Sequence, residues 1–598
     1  MIPRQGNYAE IWGMKNTLSI LVLWITVQTL AAQETPVLDW AKSFGVNSSG
    51  DITGSITTDA AGHVFSSGGF RNTVDFDPGV GVFYLTAVGH DDRGTYVLKL
   101  DPDGNFIWAK TFTSTNTCFI GAMTTDANGN IYLSGRFDGT VDFDPGTGTF
   151  NITNNGTFDA SFMCKLDADG NFLWATHTES NNSQQIASIV TDGAQNVYTL
   201  GHFRGVVDFD PGAGTTALAP FGQWDVFLTK TDAAGIFISV QRFGGTDFDF
   251  GGSVDTDAAD NVYLSGVFQG TADFDPGAAT VNMTSTGLRD MFVVKLTSAG
   301  NFVWAKMLGG ANDELGMDTK TDADGNTYGT GLYKGTLDLD PGASVFNLTT
   351  SGGTDFFALK LDANGDFVWA KSMGSSTHDD RITALDIHAD GIYLAGYFNG
   401  SGDLDPGPAV FIMNVENDSF TLKLDTDGNF VWAVSFEDFG AGNITKVLAV
   451  DGTGNIFTSG GFNKAVDFDP DPCLEFELTA STIYIQKISL AAQPPPPCEN
   501  PEGSLLIIYN AISPDGNGMN EIFRIENIDA LEETKTNTVT IYNRWGDVVF
   551  DISNYNNTDR VFKGVSESGK DLPSGIYYYK IEFTSGQKTK TGYLSLKR

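Results

Sequence analysis

The sequence predicts an all-β protein: a seven-bladed β-propeller followed by a small Ig-like β-sandwich. Three observations carry that reading. The kernel Asp-Phe-Asp-Pro-Gly, or a close variant, starts at Asp75, Asp142, Asp208, Asp273, Asp338, Asp403 and Asp467, at intervals of 67, 66, 65, 65, 65 and 64 residues. A fixed period of this size marks one repeated supersecondary unit. Each unit offers about four short apolar strands between Gly/Asp/Asn turns, the signature of antiparallel blades. After four consecutive prolines at 494–497 the composition changes and the repeat stops.

The chain opens with residues 1–32, read as an N-terminal extension and a signal peptide. From Met14 it runs MKNTLSILVLWITVQTLAAQ: one lysine, an apolar run over 18–27, then small residues, with cleavage expected near Ala32 and Gln33. The apolar run is short for a membrane span. Either Met1 or Met14 is a candidate start.

Residues 37–490 are the propeller. A Trp-Ala pair recurs at Trp40, Trp108, Trp174, Trp304, Trp369 and Trp432; the third unit lacks it, and Ile238 is read as taking its place. In the phrase NFVWAK (301–306), Phe302 and Trp304 share one face and Val303 and Ala305 the other, so both faces are apolar, as in a sheet held between two neighbours. A four-stranded sheet cannot bury two apolar faces alone. Seven stacked in a ring can, and ring closure removes the end sheets.

The kernel itself has two readings. As a structural corner, Pro-Gly fits a type II turn in which Gly supplies a positive φ, and the Phe between the acids points inward. As a metal site, carboxylates two residues apart can coordinate Ca²⁺. The calcium candidates are Asp75, Asp77, Asp142, Asp144, Asp208, Asp210, Asp273, Asp275, Asp338, Asp340, Asp403, Asp405, Asp467 and Asp469. The Asp-Ala-Asp-Gly-Asn turns are too short for an EF-hand loop.

Lys and Arg number 35 against 74 Asp and Glu, a net charge of −39. Nucleic acid is therefore excluded as a partner, because phosphate binding needs basic residues. Residues 500–598 hold 11 basic and 13 acidic residues, 11 − 13 = −2, so the excess lies in the propeller. Of four cysteines, Cys473 and Cys498 flank the domain join and are the candidates for a disulfide, while Cys118 and Cys164 are expected free. No His-Glu-x-x-His, nucleophile elbow or phosphate loop is present. Acids are too numerous for a glycosidase pair to be located.

Residues 491–503 form a proline-rich linker, and 504–598 read as short strands around a Gly/Asn/Asp-rich loop, a small sandwich.

Two family resemblances follow from these phrases. The unit WAKMLGGANDELGMDTKTDADGNTYGTGLYKG (304–335) resembles the bacterial seven-bladed β-propeller repeat, which implies architecture rather than one activity. ISPDGNGMNEIF, IYNRWGDVVF, LPSGIYYYKIEF and GYLSLKR, in that order, resemble the gliding-motility-associated C-terminal domain of Bacteroidota, the type B sorting domain of the type IX secretion system. Asp515-Gly516-Asn517-Gly518 stands where that family has Asn-Gly-Asp-Gly. The resemblance implies recognition by the type IX machinery and a secreted or cell-surface fate. LDADGNFLW (166–174) resembles both the sialidase Asp-box and the quinoprotein Trp-docking motif, but misses each by one residue of spacing. Together these imply a non-enzymatic surface protein for adhesion or for binding a glycan or protein. A secreted enzyme of polysaccharide or glycoprotein breakdown, with its site in the funnel, and a structural surface-layer component are the alternatives. Departures from the repeat at His202, Trp224, Arg289 and 378–381 are the places to look.

Overall fold

In the computed structural model, residues 35–45, 52–375, 379–407, 411–436, 444–462, 465–470, 476–478, 483–491 and most of 506–598 are described. Residues 1–34, Cys473 and Cys498 lie outside them, and with them the signal peptide and the disulfide candidates.

Each repeat folds into a four-stranded antiparallel sheet. Blade 4 runs Asp249–Thr256, Val262–Asp273, Asn282–Leu296, Phe302–Gly310, each strand paired with the one before. The innermost strands of the seven blades are Ile52–Thr58, Cys118–Thr125, Gln184–Thr191, Asp249–Thr256, Leu315–Thr321, Arg381–His388 and Ile444–Val450. Each lies against the next, and the last lies against the first. In blade 7 the outermost strand, Thr35–Phe44, comes from the start of the chain and pairs antiparallel with Ile483–Ala491, Thr35 opposite Ala491 and Phe44 opposite Ile483. The two ends of the propeller thus share one sheet, a point the repeat alone leaves open.

Cores form between blades as well as within them. Phe44, Phe457 and Ile485 of blade 7 pack with Val64, Tyr96 and Leu98 of blade 1, and Phe65 and Val97 of blade 1 with Leu133 and Phe162 of blade 2. Every sheet therefore hides both faces, as the paired apolar faces of the strands require.

One device repeats from blade to blade. The indole Nε1 of Trp174 donates to the Ala233 carbonyl, 3.1 Å away in the outer hairpin of the next blade, and the Lys165 ammonium donates to the same oxygen at 3.4 Å. Trp40 and Lys487 meet at Pro102, Trp108 and Lys99 at Ala168, Trp304 and Lys295 at Ala363, Trp369 and Lys360 at Thr426. The turn glycine that bares the carbonyl has φ near +77° and lies flat on the indole: a Cβ on Gly235 would come within 2.7 Å of the Trp174 ring. Glycine meets both demands at once.

Blade 3 departs, and the strand register corrects the sequence reading. Lys230 pairs with Ser239 as Lys165 pairs with Trp174, so Ser239, not Ile238, stands in the tryptophan position. Gln241 takes over the reach, its Nε2 donating to the Gly300 carbonyl at 2.6 Å. Blade 6 departs for a different reason. Its partner, blade 7, has no outer hairpin, because its last two strands come from opposite ends of the chain. The Trp432 Nε1 is buried without an acceptor, and Lys423 turns to Asp390 at 2.6 Å.

The C-terminal domain has a five-stranded sheet in the order Ala511–Ile512, Lys590–Leu596, Gly575–Phe583, Asn537–Tyr542, Val548–Ser553, with Ile507–Ile508 and Ile525–Glu526 pairing separately. Phe523, Val539, Ile541, Tyr555, Phe562, Ile581 and Leu594 fill its core. Among the described residues no helix is long and apolar enough to cross a membrane.

If the indole staple stabilises the ring, Trp304→Phe should cost about 1 kcal/mol, the net worth of one hydrogen bond. Trp304→Ala should cost about 3–5 kcal/mol, because the cavity adds to it. Denaturant unfolding of the two variants measures both.

Candidate functional site

The seven Asp-Phe-Asp-Pro-Gly loops sit beyond the far ends of the second strands. The central apolar residue of each is buried: Phe76, Phe143, Phe209, Phe274, Leu339, Leu404 and Phe468 are at most 2% exposed. The first acid closes the loop. Oδ1 of Asp273 accepts the Asp275 amide at 3.1 Å and the Val281 amide at 2.8 Å, and the same pair of bonds recurs at Asp75, Asp142, Asp208, Asp338, Asp403 and Asp467. The second acid accepts the glycine amide, as Asp275 does from Gly277 at 2.7 Å. Asp77, Asp144, Asp210, Asp340 and Asp405 do the same. The type II expectation fails here, since none of the motif glycines has a positive φ. Room beside the second acid is short instead: a Cβ on the motif glycine Gly146 would lie 3.0 Å from Asp144 Oδ1, the oxygen that accepts its amide. The acids are local acceptors, which is what the fold asks for seven times.

Among the described residues no three His, Cys, Asp or Glu side chains gather as a metal-ligating group. Cys118 and Cys164 are free thiols, and burial raises the pKa of both, Cys118 to about 12.

The unrepeated chemistry lies at the starts of the innermost strands, around the channel mouth, at the same end of the blades as these loops. Every one of these strands carries a bulge, at Gly54, Gly121, Ala187, Gly252, Gly316, Thr383 and Lys446. A bulge re-aims the side chains around it. A cavity of about 460 Å³ opens there, lined among others by Ser188, Ser253, Leu315, Asp318, Arg381 and Thr383. Beside it is an aromatic cluster. The His202 ring is 5.3 Å from Trp224 and 4.9 Å from Phe250, and Phe248 stacks 6.2 Å from Phe250. Phe221 is 57% exposed, with the Arg242 guanidinium 3.3 Å over its face. Burial holds the His202 pKa down to about 4, against a backbone hydrogen bond at Gly251 that pulls it up.

Deeper in the channel, Lys320 lies in the field of Asp386, Asp255 and Asp318, which keep it charged despite burial. The acids also clip neighbouring blades: Asp255 accepts the Thr321 amide at 2.7 Å, Asp318 that of Leu385 at 3.3 Å, Asp386 that of Val450 at 2.7 Å.

Of the other departures, Arg289 forms a bidentate pair with Asp313 at 2.7 and 2.6 Å, Asp379 accepts the Thr354 amide, and Arg381 is exposed at the mouth. His63 and His388 pair locally with Asp59 and Asp390. In the C-terminal domain Lys590 and Lys597 are exposed, whereas Arg598 is held by the Gly564 and Leu572 carbonyls and by Asp571 at 2.8 Å.

Residues 506–596 match the CHU_C Type IX secretion signal domain. The chain therefore carries a type IX secretion signal, which marks it for export to the cell surface or the medium. Over 492 residues it is 24% identical to an uncharacterized WD repeat-containing protein, L264, of Acanthamoeba polyphaga mimivirus, covering 69% of this chain and 35% of that one. Over 232 residues it is 27% identical to the regulatory protein FlaEY of Caulobacter vibrioides, covering 37% and 24%. The chain thus spans about a third or less of these relatives. Two solved structures align only loosely. A Bacteroides caccae protein of unknown function has a TM-score of 0.26 at 10% identity, over 57% of this chain and 94% of the other. PorZ of Porphyromonas gingivalis, an essential surface component of the type IX system, has a TM-score of 0.13 at 8% identity, over 93% and 100%. At these scores neither bears on fold or function.

Asp273→Ala removes a loop-closing acceptor and should cost about 2 kcal/mol, while Asp273→Asn, which keeps one oxygen, should cost less than half of that; urea unfolding compares them. For His202 the folded state binds its proton at about 4 against 6.5 for a free imidazole, so the unfolded state takes up more protons between those values. The stability of the wild type relative to His202→Gln should be flat above pH 6.5 and fall steadily towards pH 4, in melts recorded across that range.

Proposed function

We propose that the protein is an exported, non-enzymatic binding protein that captures a glycan at the channel mouth. What carries the reading is the cluster of His202, Trp224, Phe248 and Phe250, which no other repeat reproduces. Flat aromatic faces offer apolar area and a negative quadrupole to the C–H faces of a sugar ring. Exposed Gln185, Gln223 and Arg381 stand around the mouth as hydrogen-bonding groups for hydroxyls or acids. A half-buried aromatic cluster bordered by exposed Phe221 and a polar rim offers apolar area on an otherwise acidic, water-facing surface. The type IX signal supplies the address at which such a binder meets polysaccharide.

The enzyme reading draws on Asp255, Asp318 and Asp386 around Lys320 in the channel. In a glycan-array screen of the full chain, binding to at least one glycan class is expected, with loss of at least about tenfold in affinity in Trp224→Ala and Phe250→Ala, the scale of a lost hot-spot aromatic. Binding to no glycan, or binding indifferent to both substitutions, overturns the mouth as a glycan site. Release of cleaved sugar that depends on Asp318 would favour the enzyme instead.

A further inference from the structure

At one level of the ring the third strand of each blade faces the start of the next blade's first strand. Between blades 1 and 2 the facing residues are Gly94 and Cys118, and between blades 2 and 3 Ala160 and Gln184. The fold therefore does not ask for acids here. Yet the next three junctions carry a carboxylate from each side: Asp225 with Asp249, Asp290 with Glu314, and Asp355 with Asp380. All six are at most 1% exposed. The paired acids converge on glycines of the strand between them: a Cβ on Gly244 would lie within 3.2 Å of both Asp225 and Asp249, and one on Gly374 within 2.9 Å of both Asp355 and Asp380.

The three pairs differ in their counter-charge. Between blades 3 and 4, Arg242 brings its Nε to 3.7 Å from Asp225. In the strand ladder Arg242 stands opposite Phe227, and the equivalent residues opposite Phe292 and Phe357 are Met307 and Ser372. Between blades 5 and 6 hydroxyl and amide donors serve three of the four carboxylate oxygens: Ser351 donates to Asp355 Oδ2 and Ser375 to both oxygens of Asp380, leaving Asp355 Oδ1 alone without a partner. Between blades 4 and 5, Asp290 accepts the Thr286 amide and hydroxyl at 2.8 and 2.9 Å. Both oxygens of Glu314 are buried and neither makes a hydrogen bond of ordinary geometry, although the Gly310 amide and the Asp290 carboxyl lie beside them, and the adjacent cation, Arg289, is engaged by Asp313. Two buried carboxylates side by side without a positive charge are far costlier than either alone.

We propose that the Asp290–Glu314 pair at the junction of blades 4 and 5 binds a calcium ion. The donors are all hard oxygens, which excludes the softer zinc and copper preferences. The Gly310 and Asn312 carbonyls, which accept the Thr286 hydroxyl and the Leu288 amide and keep a second lone pair each, close over the same stretch of strand: a Cβ on Gly287 would lie 2.1 Å from the Asn312 oxygen and 2.7 Å from that of Gly310. Calcium accepts such an irregular mixture of carboxylate and carbonyl oxygens, where magnesium demands a regular octahedron. The ion does at this junction what Arg242 does at the one before. The inference does not rest on glycan binding.

The test is calorimetric titration of the EDTA-stripped full chain with CaCl₂, with melting followed in parallel. Calcium is expected to bind and to raise Tm. Glu314→Gln should lose one high-affinity equivalent, weakened at least about tenfold, and should melt higher than the wild type when both are calcium-free, because a buried charge has gone. Met307→Arg, which installs the neighbouring junction's cation, should also lose that equivalent while keeping a wild-type or higher calcium-free Tm; it serves if Glu314→Gln fails to fold. The Asp75→Asn/Asp77→Asn variant should bind as the wild type does. No calcium binding, the same stoichiometry and affinity in both junction variants, or loss in the Asp75/Asp77 variant overturns the assignment. So does a wild type indifferent to calcium and EDTA but markedly more stable at pH 5 than at pH 8, since the pair would then hold a proton.

Discussion

The ring is held by one contact made again and again: an indole and an ammonium from one blade closing on a single carbonyl at the next blade's outer hairpin. A carbonyl oxygen has two lone pairs, so it can serve both donors, and the left-handed turn glycine presents it without a side chain in the way. The lysine is oriented from within its own blade, Lys165 lying 4.5 Å over the Tyr132 ring and 3.6 Å from Asp126. Aromatic area, a cation and a directional bond thus set the distance and the angle between sheets together. Apolar faces alone would press the blades together without fixing that angle.

This arrangement divides the molecule into two kinds of surface. Hairpins and Asp-Phe-Asp-Pro-Gly loops repeat because each does the same structural task in every blade, and their acids are consumed by their own backbones. The channel mouth does not repeat. There the innermost strands share only a bulge, and what projects beyond it differs from blade to blade: Phe250, Leu315, Arg381. Chemistry in a symmetric scaffold is found where the symmetry lapses, because a residue kept seven times is explained by the fold.

How much of this could be read beforehand follows the same division. The blade count and the sandwich were legible because local chemistry is written afresh every 65 or so residues, and strand and turn signals are local. Ser239 was misplaced by one residue, since only the ladder opposite Lys230 fixes the register. The Pro-Gly corner was assigned a turn type from residue preferences, and a carboxylate acceptor closed it differently. The pairing of Thr35–Phe44 with Ile483–Ala491 spans nearly the whole propeller and left no local trace. His202, Trp224 and Phe250 were flagged only in part, because their meeting joins two blades. The buried acids did leave a signal: Asp225, Asp290 and Asp355 are spaced by 65 residues, a second register that the louder motif masked.

Seating the chain's first strand in its last sheet also sets an order of events. Thr35–Phe44 is made before every other strand of the propeller and pairs only when residues 483–491 exist, so for most of synthesis blade 7 has no outer edge. Contacts this remote in sequence form slowly. Until then the propeller is an open arc, and its ring can close only when nearly all of its repeats have been made.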